Sequence, residues 1–475
     1  MSDEEVVLSA VRSAESLGAS YAEVRLEQRS SESLLARNGQ VDATGYFLSS
    51  GVGIRVLLSG ALGFSATNDL TLNGITRAVE TAVKMARASS AMVRDPVRAD
   101  QSGGASAAWQ GKVLEDPFDV PVDEKVKLML DLDSSISGKE VAFPSRFLSL
   151  GFTRTEKLLA NSFGEQVRSS VTRSEGFIFL TASHPQKGTL QKYEQLGEAA
   201  GWEAVKRWRL EDRLKDMTRA LELNLMRAVR PDEGIMDVLL GSEVSGIVAH
   251  ESAGHPAEAD RIMGREAAQA GESYLKPSSL GMKVGSEQVT ILDDPTIPGS
   301  YGYYEYDDEG VKARPRVLIE KGAIKEFLHN RETAAAMGSE SNGAARASSF
   351  DREPMVRMAN TYFAPGDSSF DELVEGIRNG VYIKSFMEWN IDDVRWNERY
   401  VGLEAFSVRN GQIGEPVRSP VLEITTGKLF SSVDAAGREV RYYAATCGKG
   451  EPEQGVPVWT GGPELRLRAV RVTAR

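Results

Sequence analysis

The sequence predicts an α+β protein of two domains, a mixed α/β domain over residues 1–229 and a β-rich domain over 230–475. Three observations predict it. A chain of 475 residues exceeds what one ordinary hydrophobic core serves. Its first part reads as helix, antiparallel strands and helix. Its second part is mostly short strands and glycine turns, interrupted by one apolar helical stretch at 246–256.

Ser2-Asp3-Glu4-Glu5 has the pattern of a capping box, and Val7, Ala10, Val11, Ala14 and Leu17 follow at helical spacing until Gly18. Ala22, Val24 and Leu26 alternate with polar residues, as do Val52, Ile54, Val56 and Leu58. Asn38-Gly39 and Ser59-Gly60 are hairpin signals. Leu72, Ile75, Val79, Ala82, Val83 and Ala86 share one face of a second helix. Residues 95–116 are poor in large apolar side chains and read as loop. Strands return over 147–181, with turns expected at Ser162-Phe163-Gly164 and Ser174-Glu175-Gly176. Residues 202–229 read as one long charged helix, and Arg230-Pro231-Asp232-Glu233-Gly234 marks the boundary.

In the second domain, 235–240 reads as a buried strand feeding the helical stretch, and Asp260 to Ala270 as a charged loop or helix. Strand is expected over 283–292, a hairpin at Lys321-Gly322, and a capped helix from Ser369 ended by Gly380. The segment Gly299 to Gly310, with its four tyrosines and four acids, reads first as a surface loop and second as a substrate contact.

Composition narrows the function. The formal charge of -12 disfavours nucleic acid as a main partner, because a phosphate-binding surface needs a basic excess. No apolar run reaches the length of a membrane span and no signal-peptide core is visible, so a cytoplasmic location is expected, with no membrane partner. A single cysteine excludes an internal disulfide.

The chemistry concentrates in 246–256. This stretch carries His250, Glu251 and His255, two of only four histidines in the chain. Ser242 is placed to cap the helix, and Pro256 cannot continue it. The histidines are five apart. At about 100° per residue they would diverge by roughly 140° on a regular helix, so joint metal binding requires a distortion such as a π turn. Gly254 makes that distortion inexpensive. The competing reading is a buried helix with two unrelated histidines. A third ligand would be Cys447, which lies among glycines and Lys449. A lone cysteine is commonly a small buried hydrophobe, but nearby positive charge favours a thiolate. Two histidines, a cysteine and an open fourth position make a plausible catalytic zinc site.

His250-Glu251-Ser252-Ala253-Gly254-His255, followed far downstream by Cys447-Gly448-Lys449, resembles the TldD branch of the TldD/PmbA (TldD/TldE) metalloprotease family. Further matching motifs are Gly18 to Arg25, Gly299 to Tyr304 leading into Asp307-Asp308-Glu309-Gly310, Asn342-Gly343 before Arg346, and Pro354 to Thr361 followed by Pro365-Gly366. They come in the family's order and span essentially the whole chain.

The resemblance implies a zinc-dependent peptidase acting on peptides or unfolded polypeptide. His250, His255 and Cys447 would be the metal ligands and Glu251 the general base. It also implies a substrate groove and dimer contacts in the N-terminal domain, and a homodimer or a heterodimer with a TldE/PmbA-like subunit. The alternative is a non-catalytic peptide-binding or gyrase-modulating subunit with a structural metal. Tyr303, Tyr304, His329 and Arg357 are oxyanion candidates by type alone. His329 reads rather as a surface histidine, and His184 as a loop residue. Two departures stand out. Gly450-Glu451-Pro452-Glu453 lengthens the loop after the cysteine, and 386–397 holds Trp389 and Trp396 where many members carry a glycine-rich run.

Overall fold

A computed structural model describes residues 2–266 and 271–475. Helix α1 (Asp3–Ser16) starts on the expected capping box, in which Ser2 accepts from the Glu5 amide and Glu5 from the Ser2 amide. Strands β1 (Tyr21–Arg37), β2 (Gln40–Leu58) and β3 (Ala61–Thr67) form two hairpins. Both turns hold two residues at positive φ, Asn38-Gly39 and Ser59-Gly60, which matches the right-handed twist of the strands. Helix α2 (Leu72–Ser90) follows, then β4 (Ala107–Gln110), α3 (Val122–Ser135), β5 (Ala142–Asn161), β6 (Gln166–His184), β7 (Gly188–Glu198), α4 (Trp202–Arg207) and α5 (Leu210–Arg227).

Among the described residues these strands form one seven-stranded sheet in the order β3-β2-β1-β5-β6-β4, with β7 also on β6. Register assigns its two faces. Val24, Leu26, Leu34, Leu150, Phe152 and Leu158 share one face and bury against the helices. Arg25, Arg29, Lys157 and Arg173 point the other way, because side chains alternate along a strand.

Strand β8 (Gly234–Leu240) opens the second half inside a nine-stranded sheet, between Leu465–Ala474 and Asn379–Ile383. A six-stranded sheet lies opposite, built on β9 (Ile291–Asp293), β10 (Arg316–Glu320) and β11 (Ala323–Ile324) and ending in the Cys447 strand Arg441–Lys449. Helix α6 (Ser242–Ala249) is packed between the two sheets. Its Val244 and Val248 join a core that includes Val238 and Leu467 from one and Ile291, Phe363 and Val458 from the other.

Several sequence expectations change. Residues 202–229 form two helices, because Arg209 breaks the run with φ 51. Ser174-Glu175-Gly176 lies inside β6, where Trp208 packs over the bare Gly176. Helix α3 and strand β4 fall where no strong periodicity marks them. Over 283–292 strand is confined to β9, with an isolated bridge from Lys283 to Ala323. The Ser369 cap is present, but its helix Phe370–Glu375 ends at Gly376 rather than Gly380. Ser242 does not cap α6; Gly241 occupies that position. A short helix, Ala259–Ile262, follows the histidine stretch, while residues 267–270 of the expected charged segment lie outside the described residues. No helix among the described residues is long and apolar enough to cross a membrane.

Candidate metal centre

Helix α6 runs without interruption into a π turn, His250–Gly254. The His255 amide donates to the His250 carbonyl over 3.0 Å, the i to i+5 bond that the histidine spacing requires. The two rings come to 4.9 Å between centroids with planes 80° apart. The role of Gly254 differs from the expected one. Its backbone is not left-handed; a Cβ there would lie 1.9 Å from the Met358 sulfur, so only glycine lets the turn seat on Met358.

Cys447 arrives from the edge of the six-stranded sheet. Its Sγ lies 3.5 Å from His255 Nε2, and ligand atoms of His250, His255 and Cys447 all fall within 4.8 Å of one another. All three residues are buried. Arg357 anchors this strand by donating to the Cys447 and Gln454 carbonyls.

Supporting charges orient the donors. Glu258 Oε2 sits 3.0 Å from His255 Nδ1, which leaves Nε2 turned toward the cysteine. Arg261 Nε donates to the same oxygen over 2.7 Å. Lys449, two residues beyond Cys447, lies 3.3 Å from Glu258 and 2.7 Å from Asp260 and donates to the Val356 carbonyl. Burial alone would raise the Glu258 carboxyl, but Lys449, His255 and Arg261 together hold it well below the usual range. Burial would likewise raise the Cys447 thiol. The electrostatic pull of His255, His250 and Arg357 outweighs it and favours a thiolate. His250 is lowered by burial and raised further by the facing Cys447, with a net upward shift. His250 Nδ1 is buried without a hydrogen-bond partner. A soft thiolate, two imidazoles and an orphaned ring nitrogen in a buried cluster suit a divalent ion such as zinc.

Glu251 is buried beside this cluster and forms an ion pair with Arg395. Beneath it, Ser252, Thr426 and Tyr400 donate hydroxyls to Glu398. Burial, aided by Glu251, pushes the Glu398 carboxyl up to about 7. A cavity of about 580 Å³ opens over His250, Glu251, His255 and Cys447. Trp389 lines it, and Tyr193 and Gln195 of β7 form its opposite wall. Gln195 reaches across to the Thr446 hydroxyl at 2.9 Å.

His250, Glu251, His255 and Cys447 therefore meet in one place. Of the oxyanion candidates Arg357 lies beside Cys447, with its donors on the Cys447 and Gln454 carbonyls, and the other three do not join the cluster. Tyr304 is buried with its hydroxyl on the Gly343 carbonyl, and Tyr303 bonds Glu305. His329 is no surface residue: it is buried and 3.2 Å from the Thr333 hydroxyl. His184 ends β6, where its ring accepts from the Gln186 amide. Gly299 to Gly310 is no surface loop either. Tyr301 and Tyr304 are buried, and Arg173 of β6 donates to the Tyr301 and Tyr303 carbonyls. Sequence reasoning missed Arg395 and Glu258. Glu258 stands three residues past His255, the spacing at which a carboxylate can reach a histidine. Arg395 carries no local signal.

Sequence profiles of the PmbA/TldA metallopeptidases match in three parts: domain 1 over residues 22–86, the central domain over 115–225 and the C-terminal domain over 233–474. A protein named metalloprotease from Methanothermobacter thermautotrophicus is 34% identical over 456 residues, covering 95% of each chain. A zinc metalloprotease TldD homolog from Saccharolobus solfataricus is 26% identical, covering 97% of this chain and 98% of its own. Among solved structures, a proposed modulator of DNA gyrase from Thermotoga maritima superposes with TM-score 0.79 at 20% identity over 99% of this chain and all of its own. TldE from Thermococcus kodakarensis superposes with TM-score 0.74 at 15% identity over 98% and 100%.

Proposed function

The chain belongs to the PmbA/TldD metallopeptidase family, and we propose that it is a zinc-dependent peptidase of peptides or unfolded polypeptide segments. One observation carries the reading: three buried donors converge within 4.8 Å, with Glu251 beside them, at the floor of an open cavity. His250, His255 and Cys447 would hold the ion. When bound, zinc would supply Lewis acidity to polarise a carbonyl and acidify a water. Glu251 would accept the proton of that water and pass it to the leaving amine. The Arg395 ion pair fixes the direction of its carboxylate.

The cavity suits an extended chain. Among the described residues the Cys447 strand pairs only with Gln454–Gly462 on its sheet, and β7 pairs along its length only with β6. Two strand edges thus flank the cleft, and main-chain pairing to such an edge gives affinity with little sequence selectivity. In this reading residues 1–229 form one wall and 230–475 the catalytic wall. The exposed Tyr46, Phe47 and Leu48 in the middle of β2 offer an apolar surface for assembly as a homodimer or with a TldE-like subunit. A fully active monomer by light scattering at assay concentration would reject that assembly.

The reading is tested by metal content and cleavage of casein-like and short peptides. Glu251→Gln should keep zinc near wild type while turnover falls roughly 10²-fold or more. Loss of zinc along with activity would make Glu251 a ligand. Unchanged turnover would remove Glu251 from the mechanism, whereas no turnover in the zinc-loaded wild type would favour the non-catalytic, metal-stabilised alternative.

A further inference from the structure

A second cavity, of about 270 Å³, lies between the polar face of the N-terminal sheet and the segments around Tyr301 to Asp308 and Ala345 to Ser348. Thr446 lines both this cavity and the one over the metal donors, so the two adjoin across the residue next to Cys447. Its volume is of the size of one or two residues rather than a folded partner.

Three guanidiniums converge on it, none of them in an ion pair among the described residues, and the one acid that acts on all three through space is Asp308. Arg25 donates to the Ser349 and Arg352 carbonyls, Arg173 to those of Tyr301 and Tyr303, and Arg346 to those of Met358 and Pro457. Carbonyl oxygens satisfy N–H groups without cancelling charge. Arg25 and Arg346 are buried, Arg173 is half-buried, and Arg25 Nε has no partner at all. Burial, followed by the nearby Arg346, brings Arg173 down to about 10.

The acids that line the cavity are otherwise engaged. Asp308 is 2.6 Å from Lys157, and Glu175 accepts the Tyr301 hydroxyl. Asp307 accepts the Glu309, Val311 and Ala345 amides, and burial with Glu309 nearby pushes it up to about 8. Arg29, also in the lining, is paired with Glu27 behind it. Buried charge without a partner is costly, and a ligand of opposite charge relieves that cost.

We propose that this cavity is an anion subsite of the cleft, in which Arg25, Arg173 and Arg346 receive a carboxylate of the bound peptide, either its C-terminus or an acidic side chain. The inference rests on the peptide-cleft reading, and its test separates the two. Labelled peptides bind the zinc-loaded Glu251→Gln protein in an anisotropy assay. One pair differs as free acid and C-terminal amide, and a second as internal Glu and Gln. Neutralising the operative carboxylate should weaken binding roughly tenfold or more, as expected for a charge-assisted hydrogen bond. Which pair responds identifies the source. In the active enzyme the loss should fall on KM. Arg173→Gln should reduce the discrimination to below about twofold, with partial rescue by Arg173→Lys, which restores charge but not the fork. If Arg173→Gln fails to fold, the wild-type comparison still decides. Equal binding within both pairs would overturn the subsite, and so would competition by inorganic phosphate without any carboxylate preference. Carboxylate preference without turnover in the wild type would instead sink the peptidase and leave the subsite standing.

Discussion

The candidate metal centre and the arginine-lined cavity adjoin, yet they treat buried charge in opposite ways. At the centre the charges behind His255 meet their opposites: Glu258 has Arg261 and Lys449, and Lys449 also has Asp260. In the cavity Arg25, Arg173 and Arg346 donate hydrogen bonds only to carbonyls among the described residues. A compensated network holds its members in place before any ligand arrives. An uncompensated one leaves charge to be met by what binds. The contrast separates residues that position a site from residues that read a substrate, and the two classes should respond differently to mutation.

The largest effect expected inside the compensated network is on metal affinity, and it should be graded by distance from the ion. Cys447→Ser replaces a thiolate with a neutral hydroxyl and should lose most of the zinc. Glu258→Gln keeps the shape but removes the charge that sets the His255 ring, and should weaken zinc binding roughly 10–100-fold. Competition with a chelator measures both. In the wild type Cys447 is the single thiol, so thiol labelling should be slow with zinc bound and fast after chelation. Full zinc content in Cys447→Ser, with labelling indifferent to zinc, would remove the cysteine from the centre. A Glu258→Gln protein as tight as wild type would show that the network supports folding only.

Much of this was legible in the sequence where structure is local. If the two histidines share a metal their five-residue spacing calls for a helix distortion such as the π turn found there, and the hairpins at Asn38-Gly39 and Ser59-Gly60 follow from turn chemistry alone. The four residues His250, Glu251, His255 and Cys447 were legible as a set. Contacts between distant segments were not. Arg395 lies 144 positions from Glu251, and nothing in its neighbours marks it. The alternation that aims Arg25 and Arg173 at one cavity depends on the register of three strands, which the sequence leaves open. Gly254 shows a subtler limit. A glycine was expected there, but the reason, a methionine from a remote segment, needed the packed structure.

The smallest expected effect concerns a buried histidine outside both regions and sharpens the rule that partners decide charge. His250 faces Cys447 and is shifted upward despite burial. His329 is also buried, but its ring meets the neutral Thr333 hydroxyl. Burial lowers it to about 4, only partly opposed by Glu326 and Asp100. In the unfolded chain it returns to the ordinary value near 6.5. Between those values the unfolded state binds the proton and the folded state does not, so stability rises with pH across this window. The contribution of neutral His329 is complete above about pH 6.5 and is lost as pH falls through about 4. The shift corresponds to roughly 3 kcal/mol at most. Urea midpoints of wild type and His329→Asn, taken from pH 4 to pH 7, isolate it, because every other titrating group is common to both proteins. The wild-type curve should fall more steeply on acidification. Parallel curves would mean that His329 titrates in the folded protein as it does in water, and that burial without a charged partner does not govern protonation at this position.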